Sequence, residues 1–424
     1  MKHPLFNRFT CMFFKISIFC GLLLTPIITT NAQTTETDQV TISFVVKTPT
    51  STPEKAELYL SGNTASLGEW DGKGLKLTRQ ENGVYVGQAT LIKGQQIAYK
   101  VTRGGWDKVE KDAAGQEISN RTIDAASDLT AQITVLAWAD QFEQERAVMT
   151  STITGHVQIF ENIKSKYLEL PRTVRIYLPP GYGDASNASQ HYPVLYMHDG
   201  QNLFDVKTSA FGVEWQVDEN AERLINEGKI EPLIVVGIDN TAHRTLEYTP
   251  THDAKRNGGG GGADYAKFLI EELKPWIDEK YRTRPEAKYT GTAGSSLGGL
   301  ISLYLGSENQ GVFTRIGSVS PALGWDKEWI VRDWSDNRDA YAPWWQTSRV
   351  WVDMGTLESS IGGGGVCTVE LAEEITNIMQ ETGMQQDQQY KLFVVENGQH
   401  NEAAWANRIA DILMYLYPKE IESK

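Results

Sequence analysis

From about residue 155 onward the apolar residues gather into strand-length runs separated by helix-length stretches. Arg172–Leu178 reads as a strand and Tyr192–Met197 as a buried one. A helix is expected at Glu214–Glu227, then the apolar strand Leu233–Ile238 and a helix over Asp264–Tyr281. Strand and turn at Lys288–Gly294, strands Ile316–Val319 and Val350–Met354, helix Val369–Met379, strand Lys391–Val395 and helix Glu402–Tyr417 complete the pattern. Strands apolar on both faces, alternating with helices, require a parallel sheet covered on both sides. The fold class of this half is therefore α/β. Residues 40 to about 138 keep a different rhythm, with short alternating runs such as Val40-Ile42-Phe44, Leu58-Leu60 and Ile97-Tyr99-Val101. Turn clusters at Ser61-Gly62-Asn63 and Asp71–Gly74 separate them. That is the pattern of an all-β, immunoglobulin-like sandwich. The boundary between the two halves is expected between Asp140 and Ser151, giving a β module over 38–140 and an α/β domain over 150–424.

The first 32 residues read as an export signal. Lys2, Arg8 and Lys15 make a basic start, Ile16–Ile28 is an apolar run, and Thr30-Asn31-Ala32 sets small residues before a cleavage point. The run contains Pro26 and is shorter than the ~20 residues a spanning helix needs. An exported mature chain beginning at Gln33, periplasmic or extracellular and without a membrane segment, is the expectation. Cys11 and Cys20 would leave with the signal, so only Cys367 would remain, and no disulfide or cysteine metal site is expected. The formal charge is −14 and becomes more negative still when the basic start is removed. A chain so acidic has no footprint for nucleic acid.

Chemistry enters at Gly294-Ser295-Ser296-Leu297-Gly298, a G-x-S-x-G pattern followed by Gly299. An expected strand precedes it and a helix comes after, the context in which such a serine stands on a sharp turn with its hydroxyl clear of the sheet. Ser296 is the candidate nucleophile. A serine hydroxyl needs a base to attack at neutral pH. In α/β-hydrolases the order along the chain is Ser, acid, His. Of seven histidines only His400 lies downstream of Ser296. The acid belongs in the loop after Val350–Met354, which reads Gly355-Thr356-Leu357-Glu358. Glu358, beyond the strand end, is favoured over Asp353 inside it. The oxyanion donors are expected to be the N–H groups of Leu297 and of Gln201, the latter in the loop His198-Asp199-Gly200-Gln201-Asn202. His198 and Asp199 are read as bracing that loop rather than binding metal. The glycine runs Gly258–Gly262 and Gly362–Gly365 lack the Lys-Ser/Thr of a phosphate loop and are read as loops. No metal or organic cofactor is expected.

The run Tyr192–Asp205, the Gly294–Gly299 elbow, Gly355–Glu358 and His400 together resemble the bacterial "putative esterase" group. That group includes carbohydrate esterase family one, with feruloyl and acetylxylan esterases, and the enterochelin esterases. The resemblance spans roughly 155–420 and implies an α/β-hydrolase fold with Ser296, His400 and Glu358 in the triad roles. Arg244, Glu247 and Tyr248 also look like a family stretch near the site, with Arg244 either a substrate contact or part of a structural ion pair. Trp325, Trp344 and Trp345 lie between nucleophile and acid, where either an acyl pocket or the packing of an insertion would place aromatic rings. Leu67-Gly68-Glu69-Trp70, Tyr99-Lys100-Val101, Trp106 and Asn120-Arg121 resemble a starch-binding module of carbohydrate-binding family 20 or 48. This implies a sugar platform of Trp70, Lys100, Trp106 and Asn120, although the spacing of Trp106 and Asn120 departs from the family's pattern. The reading is an exported serine esterase acting on feruloyl or acetyl esters of plant polysaccharide. An acyltransferase or siderophore-lactone esterase on the same scaffold, and a non-catalytic glycan-binding protein, are the alternatives.

Overall fold

The computed structural model describes residues 39–115, 118, 120–142, 150–254, 258–358 and 368–419. The export-signal segment, Cys367 and the glycine run at 362–365 lie outside the described residues.

Seven strands form the N-terminal sheet: β1 (Gln39–Lys47), β2 (Leu58–Gly62), β3 (Leu75–Arg79), β4 (Tyr85–Ile92), β5 (Gln96–Thr102), β6 (Arg121–Asp124) and β7 (Leu129–Thr134). Their order is β6-β5-β2-β3-β4-β1-β7. All pairs are antiparallel except β1 with β7. The alternation in β1 works as the sequence predicts, with Val40, Ile42, Phe44 and Val46 buried and the residues between them facing out. Phe44 meets Tyr99 edge-on at 5.4 Å inside this core, and Trp138 closes it.

The second sheet has eight strands: β8 (His156–Ile163), β9 (Arg172–Leu178), β10 (Val194–His198), β11 (Ile234–Ile238), β12 (Thr290–Ser295), β13 (Arg315–Val319), β14 (Arg349–Gly355) and β15 (Tyr390–Val395). The order is β8-β9-β11-β10-β12-β13-β14-β15. The six strands from β11 to β15 run parallel, whereas β9 pairs antiparallel with β11 and β8 pairs antiparallel with β9. The sheet is therefore mixed rather than wholly parallel. Both faces are buried. Val194 and Tyr196 of β10 enter one core while Leu195 and Met197 enter the other, and Val235 is opposed to Ile234 and Val236 in the same way. Strand β8 has no sequence signature because an edge strand with half-exposed residues lacks a clean apolar period.

Five helices matter for the site: α1 (Val217–Asn226), α2 (Leu297–Glu308), α3 (Val369–Glu381), α4 (Glu402–Ala406) and α5 (Ile409–Leu416). Two expected helices are broken. The stretch read as Asp264–Tyr281 is Gly262–Lys267, a π-helical turn at Phe268–Leu273, and Lys274–Lys280. Pro275 has no N–H to return to the preceding turn, and the helix widens ahead of it. The terminal stretch divides into α4 and α5 at Asn407-Arg408. Two helices not anticipated, Trp329–Asp336 and Arg338–Thr347, fill the span between β13 and β14. No helix of the described residues is long and apolar enough to cross a membrane.

Candidate active site

Ser296 stands between β12 and α2 with φ 59° and ψ −119°, a conformation that L residues rarely adopt. Its backbone is fixed on both sides, since Ser296 N–H donates to Val319 O at 3.0 Å and Ala322 N–H donates to Ser296 O at 3.0 Å. The surrounding glycines are required by space. A Cβ at Gly294 would lie 3.0 Å from that of His198, and one at Gly299 would lie 3.0 Å from Val319 O. Strain of this kind costs about 1–3 kcal/mol. Burying Leu297, Leu300, Ile301, Leu303 and Leu305 of α2 offsets it, at roughly 1.5–3 kcal/mol per side chain. From Thr290 to Leu303, Ser296 is the one residue not buried.

The acid and the histidine meet at the ends of β14 and β15. His400 Nδ1 lies 3.1 Å from Glu358 Oε2, with both side chains nearly sealed from solvent. Glu358 is drawn back over the end of β14, where Gly355 N–H donates to its Oε1 at 2.9 Å. A Cβ on Gly355 would lie 2.5 Å from that same oxygen, so only glycine permits the turn. Ser320 Oγ also donates to Glu358 Oε1 at 2.8 Å, and Arg408 Nη2 lies 3.3 Å away. Burial by itself pushes the Glu358 carboxyl up. His400, Arg408 and Ser320 outweigh it and hold the group below its ordinary 4.5. Asp353 is occupied elsewhere, accepting from Arg408 Nη1 at 2.5 Å, Trp351 Nε1 at 2.7 Å and Ser320 N–H at 3.1 Å. Of the two candidate acids, Glu358 alone contacts the histidine.

His400 is positioned by the residues just after it in the chain. Asn401 caps α4 by accepting from Ala404 N–H at 3.0 Å. Trp405, one turn on, packs edge-on against the imidazole at 4.9 Å and donates to Ser320 Oγ at 3.0 Å. Neither Ser296 Oγ nor His400 Nε2 has a hydrogen-bond partner among the described residues. Such bonds often close only when substrate arrives.

The loop after β10 makes a 3₁₀ turn at Gly200–Asn202, with Asp199 in the left-handed region. A Cβ on Gly200 would lie 2.6 Å from the β11 backbone. Asp199 receives both Arg244 Nε and Nη2 at 2.8 Å and Asn240 Nδ2 at 2.6 Å. Asn240 N–H donates to Gln201 Oε1 at 3.1 Å. Arg244, stacked on Tyr248, is thus committed to holding the Gln201 loop. His198 is buried, with Nδ1 3.0 Å from the Tyr265 hydroxyl and Nε2 3.1 Å from that of Thr292. Burial drives its pKa down to about 3, so it is a neutral prop beneath the elbow. The amides of Leu297 and Gly298 open α2 and have no intrahelical acceptor.

The structure corrects the aromatic pocket. Trp325, Trp344 and Trp345 are fully buried in the core, with Trp325 Nε1 donating to Thr251 O and Trp344 Nε1 to Phe313 O. They have no face to offer a substrate. In the N-terminal module Trp70 and Trp106 come together, with ring centroids 6.0 Å apart and Trp106 Nε1 donating to Trp70 O at 3.0 Å. Asn120 is half-buried. Lys100 does not join them as a sugar donor. It is buried, its Nζ donates to Ile118 O at 2.6 Å, and burial pulls its pKa down to about 8 while Glu110 and Glu402 oppose the fall. Ser320, Trp405, Arg408 and Asn240 were not singled out from the sequence. Arg408 stands out only as a lone cation between two apolar helical runs, a pattern that does not say what it pairs with.

A strained serine at a strand–helix turn and a histidine–carboxylate pair in the loops after β15 and β14, on one mixed eight-stranded sheet, define an α/β-hydrolase. Residues 165–416 match the family model described as "Putative esterase", and the chain belongs to that family. It is a carboxylic ester hydrolase. Residues 39–134 match the starch-binding domain model. Among curated relatives, the uncharacterized protein YbbA of Bacillus subtilis is 25% identical over 257 residues, 58% of this chain and 93% of YbbA. An endo-1,4-beta-xylanase/feruloyl esterase of Xylanibacter ruminicola is 33% identical over 132 residues, 30% of this chain and 16% of the relative. A solved ferulic acid esterase structure aligns with a TM-score of 0.48 at 19% identity, covering 62% of this chain and 98% of its own.

Proposed function

We propose that the chain is exported and hydrolyses esters carried on carbohydrate, with Ser296 as nucleophile. Ser296 Oγ attacks the ester carbonyl as His400 Nε2 takes its proton. Glu358 holds the opposite nitrogen, fixes the tautomer and stabilises the imidazolium. The oxyanion is met by the Leu297 and Gln201 amides. His400 returns the proton to the leaving alcohol, and a water, activated in the same way, frees the acid and restores the serine. The observation carrying this reading is the His400–Glu358 contact at the strand ends, on the same sheet edge as the strained elbow serine. The starch-binding match and the xylanase/feruloyl esterase relative support a feruloyl or acetyl group on polysaccharide as the ester.

The test is a hydrolysis panel of methyl ferulate, acetylated xylan, a catecholate lactone and p-nitrophenyl esters of rising length, run with the wild type and Ser296→Ala. The proposal expects release from a carbohydrate-type ester in the wild type and none above background in the variant. Turnover surviving Ser296→Ala would overturn the mechanism. Cleavage restricted to catecholate lactones would overturn the substrate class alone.

A further inference from the structure

Glu214, Asp218 and Glu219 turn toward one another where the segment 151–154 meets the start of α1. One oxygen from each lies within 4.8 Å of the others. Glu214 is 6% exposed and Asp218 0%. Glu214 Oε2, Asp218 Oδ1 and Glu219 Oε2 are each buried with no hydrogen-bond partner. The donors nearby are spent on other oxygens, since Thr154 N–H takes Asp218 Oδ2 at 2.7 Å. The charges acting on Glu214 from its neighbours, Glu219 and Asp205, are both negative. Acids are common in the first turn of a helix because the dipole favours them there. That preference supplies no donor to these three oxygens, and buried carboxylate oxygens without donors or cations are rare.

We propose that Glu214, Asp218 and Glu219 bind a hard divalent cation, Ca²⁺, that pins segment 151–154 and the loop before α1 to the helix. The donor set is all oxygen, drawn from a loop and a helix, with the Thr152 hydroxyl beside Glu214. Such irregular carboxylate sets suit Ca²⁺ better than Mg²⁺, which demands a near-octahedral shell. This departs from the expectation that the chain needs no metal. It also reaches the catalytic edge, because Trp215, next to Glu214, packs on Trp405 at 5.8 Å, and Trp405 packs on His400.

The experiment uses the EDTA-treated, desalted full chain at pH 8, titrated with CaCl₂ by calorimetry and followed by thermal unfolding. One equivalent of Ca²⁺ should bind and raise the Tm by several degrees. Asp218→Asn and, as a second variant, Glu219→Gln should each weaken binding by about tenfold or more. Three results would overturn the proposal: no heat and no Tm shift in the wild type, an undiminished response in both variants, or a stronger response to MgCl₂ than to CaCl₂. None of these readouts depends on esterase activity.

Discussion

At the scale of single residues, three side chains have roles that titration and kinetics separate. Ser296 Oγ makes no hydrogen bond among the described residues, so Ser296→Ala should leave the denaturation midpoint unchanged while lowering kcat by about 10⁴-fold or more. Glu358→Gln keeps the shape but loses the charge that orients His400, and kcat should fall roughly 10²–10⁴-fold. Because Glu358 is held below its ordinary 4.5, its ionised form stabilises the native state fully above that value. The stability gap between wild type and Glu358→Gln should therefore be widest above pH 4.5 and shrink as pH falls through the folded pKa. A gap that grows in acid would contradict the assignment. His198 behaves in the opposite chemical sense. Its folded pKa of about 3 against an ordinary 6.5 means that only the unfolded chain takes up this proton as pH drops between those values. Urea unfolding should accordingly show a loss of stability of up to ~1.4 kcal/mol per pH unit in that window from this residue. His198→Gln should remove that slope, leaving only what the carboxylates contribute.

At the scale of elements, the junction between α4 and α5 shows why part of the site was legible and part was not. His400 could be read because a base downstream of Ser296 had one candidate. Glu358 could be read because a glycine three residues earlier opens the turn that Gly355 N–H then closes. Arg408 could not, because its value lies in joining residues 55 and 50 positions away, Asp353 and Glu358, which no local pattern encodes. The break in the terminal helix is the local trace of that long-range demand. Removing the cation should expose it: Arg408→Leu leaves two buried carboxylates without their counter-charge. We expect a loss of about 3–5 kcal/mol in chemical denaturation. The tryptophans between β13 and β14 stay ambiguous in the sequence for a related reason. Aromatic residues in an inserted stretch serve a pocket or a core equally well by sequence. Here two extra helices bury them, with Trp344 seated against Gly306, where a Cβ would lie 2.4 Å from the ring.

At the scale of the whole molecule, two kinds of sheet divide the work of folding and chemistry. The seven-stranded sheet carries its alternation in strands such as β1 and the eight-stranded one is built of strands apolar on both faces, so the fold class of each was readable from those runs. The β8 edge was not, nor was the antiparallel direction of β9, since a pairing partner rather than a strand's own pattern sets these. If the N-terminal module retains starch through the Trp70–Trp106 pair, Trp106→Ala should lower binding to maltoheptaose by about tenfold. Hydrolysis of a soluble p-nitrophenyl ester should not change, because neither ring belongs to the catalytic edge. The central claim remains the convergence of Ser296, His400 and Glu358, and its most direct measurement is the pre-steady-state release of p-nitrophenol from p-nitrophenyl acetate. The account predicts a burst approaching one equivalent per chain in the wild type and an acetyl mass increment on the peptide containing Ser296, both absent in Ser296→Ala. A burst or acetyl adduct that persists in Ser296→Ala would contradict it.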